Sequence, residues 1–185
     1  MSFKKLKDRI KKNEGYSDKP YQDQLGFYTI GYGHLIKEKE NNYYLKKYNK
    51  DHFKNLFEAD FKKAHDQYKN NFFKKNHTIS EKEYKYYIKK FKKKYFEELF
   101  EIDFKNALEQ YKKNFFKKDH TTSEKELLVE MVFQLGVKGV SKFKKMLYFL
   151  NKKQKFMASL EMLDSLWYLQ TPERVKNLIK NYTKK

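Results

Sequence analysis

Glu14, Asp23 and Thr29 fall within the short segment from Asn13 to Ile36, NEGYSDKPYQDQLGFYTIGYGHLI. Cleaving a glycosidic bond through an oxocarbenium-like transition state calls for one carboxylic acid to protonate the leaving oxygen. It also calls for a second, ionised carboxylate to activate water or attack the sugar. Glu14 and Asp23 can supply that pair. Thr29 is a fitting third member, because a hydroxyl can hold the water against Asp23 and a β-branched strand residue keeps its rotamer fixed. In a chain with 24 acidic residues, spacing alone does not separate such a trio from solvated surface.

The elements that must position the trio are legible around it. Phe3, Leu6 and Ile10 share one helical face over Ser2 to Asn13, with Ser2 as N-cap and Gly15 where a helix stops in a left-handed conformation. Glu14 therefore falls at the C-terminal end of the first helix. Tyr28, Ile30 and Tyr32 alternate with Thr29 and with Gly26, Gly31 and Gly33, a strand-and-turn pattern in which backbone approaches something closely. Asp23 lies in the turn region just before it.

The Asn13 to Ile36 segment resembles the N-terminal signature of the phage lysozymes, the T-even type of glycoside hydrolase. EMVFQLGVKGVSKF from Glu130 to Phe143 and WYLQTPERV from Trp167 to Val175 are similar to the helical half of the same family. Together the resemblance covers roughly residues 1–36 and 99–180. It implies an α+β, mainly α, two-lobe lysozyme-like fold with a small β-hairpin lobe, a long connecting helix and a helical C-terminal lobe. It also implies a peptidoglycan strand between the lobes, Glu14 as general acid, Asp23 with Thr29 managing water, and inversion at the sugar carbon. The alternative is a non-catalytic cationic protein on a lysozyme-like scaffold that binds nucleic acid or membranes.

Further roles follow from the same resemblance. Arg174 matches the arginine that pairs with the catalytic glutamate. Its local setting agrees, since Thr171, Pro172 and Glu173 read as N-cap, first-turn proline and acidic first-turn residue, so that Arg174 puts a cation at the positive end of a helix. His34 matches a histidine that pairs with an aspartate on the connecting helix; Asp103 and Asp60 both qualify, and Asp103 is preferred. Leu35, Phe133 and Gln134 match positions lining the sugar cleft. Met146 and Glu161 occupy cleft positions where the family commonly has small or amide side chains.

The middle of the chain repeats itself. LFEADFKKAHDQYKNNFFKKNHTISEKE from Leu56 to Glu83 recurs as LFEIDFKNALEQYKKNFFKKDHTTSEKE from Leu99 to Glu126, with 21 of 28 positions identical. Two units are too few for a solenoid stack, so a tandem duplication inside one domain is expected. Only the second copy runs on into MVFQLG, which puts it in register with the connecting helix and makes the first copy the surplus. Ser80 and Ser123 open S-E-K-E starts that resemble capping boxes. No glycine or proline interrupts Ser80 to Phe116, and Ile88, Phe91, Tyr95, Leu99 and Ile102 form one stripe, so one long helix is predicted, preceded by a helix near Asp51–Lys74. The expected organisation is one domain over 1–185: a small lobe over 1–50, the duplicated helical segment over 51–122 and a helical lobe over 123–185.

Composition bounds the rest. At 185 residues and 18% aromatic content the chain can bury a real core. Without cysteine it has no disulfide frame, which fits folding in a reducing host cytoplasm. MSFKKLKDRIKK has no apolar core of a signal peptide and no run reaches membrane-spanning length, so the expected route to the wall is release by something else, without membrane insertion. The five histidines show no metal-ligand spacing, and neither metal nor cofactor is expected. The net charge of +19 suits attraction to a polyanion, and lysine in place of arginine points to solvated helix faces rather than specific nucleic-acid readout. The bacterial wall is such a polyanion. A monomer is expected, from an AT-rich source or as an artificial sequence built on the family.

Overall fold

The computed structural model describes residues 3–22, 28–36 and 81–184. Asp23, Asp60, the first copy of the repeat, Ser80 and the predicted helix near Asp51–Lys74 lie outside the described residues. In chain order the elements are α1 (Lys4–Glu14), β1 (Ser17–Gln22), β2 (Tyr28–Gly31), β3 (His34–Leu35), α2 (Glu81–Asn114), α3 (Thr122–Ser141), α4 (Lys144–Asn151), α5 (Lys155–Leu163), α6 (Leu166–Gln170) and α7 (Pro172–Thr183). They form two units, Glu14–Glu101 and Met1–Asn13 with Ile102–Lys185. The described residues form a mainly helical α+β fold with one small sheet, as the sequence predicts.

In the first unit the three strands form an antiparallel sheet in the order β1-β2-β3. Ser17 pairs with Gly31 and Tyr21 with Thr29, with an irregularity between Ser17 and Tyr21. Pro20 falls in that irregularity, on an edge strand, where a residue without an N–H costs no ladder bond. The core here is Ile30, Ile36 and Phe96, with Tyr28, Tyr95 and Leu99 against it. Gly31, at φ +66°, is needed because a Cβ there would come within 2.8 Å of the Phe96 ring.

The long helix α2 runs from Glu81 to Asn114 and holds the second copy of the repeat from Leu99 on. Its buried side is displaced from the predicted stripe. Phe96, Phe100, Phe104, Ala107 and Tyr111 are buried, whereas Tyr95 and Leu99 are half-buried and Ile102 is 57% exposed. Adjacent aromatic positions such as Tyr95 and Phe96 make both faces apolar, so hydrophobic rhythm does not choose between them.

In the second unit Leu6 and Ile10 of α1 are buried, as are Leu127, Leu128, Met131 and Val132 of α3, Met162 of α5, Trp167 of α6 and Val175, Leu178 and Tyr182 of α7. The capping box that opens α3 is Thr121 with Glu124, not one starting at Ser123. The Thr121 hydroxyl accepts from Glu124 N–H at 3.3 Å and the Thr121 N–H donates to Glu124 Oε2 at 2.7 Å. Both pairs fit the S/T-x-x-E pattern, and the choice follows from Glu124, which is wholly buried and needs those partners. Gly136, at φ 65° and ψ 172°, breaks α3 just after Gln134. No helix among the described residues is long and apolar enough to cross a membrane.

Candidate active site

Glu14 is the last residue of α1, and Gly15 at φ +71° ends the helix there, as the sequence predicts. Its half-buried carboxylate lies against the turn between β2 and β3. A Cβ built on Gly33 would stand 2.6 Å from Glu14 Oε2 and 3.0 Å from its Cδ. Gly33 has φ +74°, so the same residue satisfies a left-handed turn and leaves room for the carboxylate.

Thr29 sits in the middle of β2, 7% exposed. Its hydroxyl donates to the Tyr21 carbonyl at 3.4 Å, a long bond that leaves the oxygen's lone pairs free to accept. Its cross-strand neighbours are Tyr21 and Leu35, and His34 stands opposite Ile30. The sheet therefore brings Thr29 beside Leu35, whose side chain is 46% exposed. Glu14, Thr29, His34 and Leu35 all belong to the Glu14–Glu101 unit.

Tyr16 and Tyr32 brace the Gly33 turn, a contribution that reading the sequence for carboxylates misses. Their rings are 5.1 Å apart, Tyr16 meets Phe96 at 5.9 Å, and Tyr32 meets Phe100 at 5.9 Å. The Tyr32 hydroxyl donates to Glu97 Oε1 at 3.1 Å. Burial pushes the Tyr16 hydroxyl up to about 12, helped by Asp18, Tyr32 and Glu97, so it stays neutral in the working range. The available signal was the strand alternation of Tyr28, Ile30 and Tyr32.

The other predicted residues lie in the second unit. Asp103 is half-buried on α2, and Phe133 and Gln134 are half-buried on α3 just before its break, with Gln134 Oε1 a buried acceptor lacking a hydrogen bond. Glu161 is half-buried on α5. Met146, however, is 1% exposed in the core of α4 and offers no surface to a sugar. Methionine is apolar and flexible enough to fill a core gap, which corrects its expected place beside the ligand. Arg174 is half-buried in the first turn of α7. Thr171 occupies the N-cap position, but its hydroxyl donates back to the Trp167 carbonyl at 3.1 Å instead of capping, and Glu173 pairs with Lys176 at 2.9 Å. Among the described residues no group of three His, Asp or Glu side chains could hold a metal.

A sequence model described as phage lysozyme matches residues 11–88. The match runs from the last turn of α1 into α2 and takes in the first copy of the repeat, so that copy falls inside the matched region rather than beside it. A protein of Dictyostelium discoideum described as "Probable T4-type lysozyme 2" is 33% identical over 177 residues, covering 94% of this chain and 91% of that protein.

Proposed function

The chain belongs to the T4-type lysozyme family and is a lysozyme glycosidase, and we propose that it hydrolyses the β-1,4 bond between N-acetylmuramic acid and N-acetylglucosamine of peptidoglycan, with inversion. The observation that carries this reading is the Glu14 carboxylate at the end of α1, packed against the Gly33 turn in one unit with Thr29. A carboxyl group fixed at a helix end beside a tight turn has a defined direction, as a group that must reach the leaving oxygen requires.

Glu14 gives its proton to the glycosidic oxygen as the bond to the sugar carbon breaks. Asp23 takes a proton from the water that attacks the opposite face. Thr29 accepts the water's other hydrogen, a role suited to a hydroxyl already donating to a carbonyl. Arg174 balances Glu14 once it has ionised. Leu35, Phe133, Gln134 and Glu161 contact the sugars, Met146 supports them from the core, and His34 with Asp103 stiffens the scaffold. The domain is single, acts as a monomer and meets the wall after release from the compartment where it folds.

Glu14→Gln tests the reading. Lysis of purified walls should fall by about 10²–10⁴-fold while circular dichroism stays unchanged. Wild-type digests should contain new reducing muramic-acid ends whose first-formed anomer is α. A glycosyl adduct trapped on Asp23, or a β-anomer formed first, would replace inversion by retention.

A further inference from the structure

Glu130 is 3% exposed on α3, beside Leu127, Met131 and their apolar neighbours. A carboxylate in such a place is costly unless it is paired and hydrogen-bonded. Both of its oxygens are taken by α1. Arg9 Nε donates to Oε2 at 2.7 Å, and Asn13 Nδ2 donates to Oε1 at 3.0 Å. Arg9 also reaches Glu126 at 3.6 Å. Arg9 and Asn13 are one helical turn apart and share a face, so a single carboxylate grips the C-terminal half of α1 at two points.

Apolar contacts from Leu6 and Ile10 hold α1 down but are non-directional, and they set its rotation less sharply than oriented hydrogen bonds do. A buried ion pair is weak as a source of stability compared with a well-packed apolar pair, and what it adds is a defined orientation. The residue after Asn13 is Glu14. We propose that Glu130, acting through Asn13 and Arg9, is a positioning residue for the general acid: it fixes the rotation of the last turn of α1 and so the direction in which Glu14 leaves the helix. The inference rests on the reading of Glu14 as the acid.

Asn13→Ala, Asn13→Asp, Glu130→Gln and the double variant Asn13→Asp/Glu130→Gln test it on purified walls, with Glu14→Gln as reference and folding checked by circular dichroism and melting. Asn13→Ala leaves the Arg9 pair intact and should lower kcat about tenfold with KM within about twofold, because small misplacements of a reacting group are expensive in rate. Asn13→Asp sets two carboxylates against each other and should be worse. The double variant restores one hydrogen bond with donor and acceptor exchanged, and should bring kcat back to within about threefold of wild type. Unchanged kcat in Asn13→Ala, or losses that follow the melting temperature and do not recover in the exchanged pair, overturn the inference. Substantial activity in Glu14→Gln overturns the premise instead, so the two failures are distinct.

Discussion

The Glu14 carboxylate lies over the α-carbon of Gly33, so close that a methyl group there would stand 2.6 Å from Oε2. Gly15 and Gly33 share a positive φ, +71° and +74°, yet do different work. Gly15 lets α1 stop, and a Cβ on it would meet nothing within 4 Å. Gly33 turns β2 into β3 and also forms one wall of the acid's environment.

The pair gives a controlled comparison. Gly15→Ala and Gly33→Ala should each lose about 1–2 kcal/mol of stability, from forcing an alanine into the left-handed region. Only Gly33→Ala should displace the carboxylate, and its activity per folded molecule should drop about tenfold or more. Melting curves and wall-clearing rates measured together check this; equal specific activities for the two variants would show that Gly33 matters only as a turn.

Phe96, at 0% exposure between Ile30, Ile36 and Gly31, is the keystone of the sheet's core. Phe96→Ala should cost about 3–5 kcal/mol by urea titration, whereas Ile102→Ala, on an exposed face of the same helix, should stay within about 0.5 kcal/mol. The opposite ranking would restore the stripe through Ile102.

The contrast on α2 shows how far the sequence could be read. The first helix, its stop at Gly15 and strand β2 were legible, because Leu6 and Ile10 keep helical spacing and Tyr28, Ile30 and Tyr32 keep strand spacing. Strand β1 was not, since SDKPYQ has no apolar alternation and is held by pairing with β2 despite Pro20. Thr121 and Ser123 both satisfy the capping pattern, and only the burial of Glu124 decides between them. The bond from Arg9 to Glu130 spans 121 positions, beyond any local pattern. Glu14 and Thr29 could be proposed from the sequence because the segment from Asn13 to Ile36 resembles the lysozyme signature, whereas the closeness of Gly33 to the acid is a matter of three dimensions.

The net charge of +19 should speed encounter with anionic walls. Lysis of intact walls should weaken as salt passes about 0.1 M, where the Debye length falls below about 10 Å. Cleavage of soluble uncharged wall fragments should change much less. Lysis of intact walls that ignores salt would leave the lysines a role in solubility alone.

Acid should destabilise the helical unit, beginning at His120. This imidazole is buried and bonded to the Tyr111 hydroxyl at 3.1 Å. Burial lowers its pKa below the ordinary 6.5; Glu124 and Asp119 pull it upward, while Lys153 and Lys117 push it down, and the net shift is downward. Between 6.5 and that lower value the unfolded chain takes up a proton that the folded chain refuses, so stability falls as pH drops through this window. Glu124 adds a second phase in the same direction. Its burial raises the carboxyl, but the Thr121 N–H and Lys153, 2.9 Å away, outweigh it and hold the group below its ordinary 4.5. The stability it contributes is present above 4.5 and is lost as pH falls below it. Melting temperature should therefore decline from near neutrality downward and more steeply in the carboxylate range. His120→Gln, which keeps an acceptor for Tyr111, should flatten the curve above about pH 5 and leave the lower phase in place. A wild-type melting temperature that rises on going from pH 7 to pH 5, or a substituted protein with the same slope as wild type there, would contradict the role given to His120.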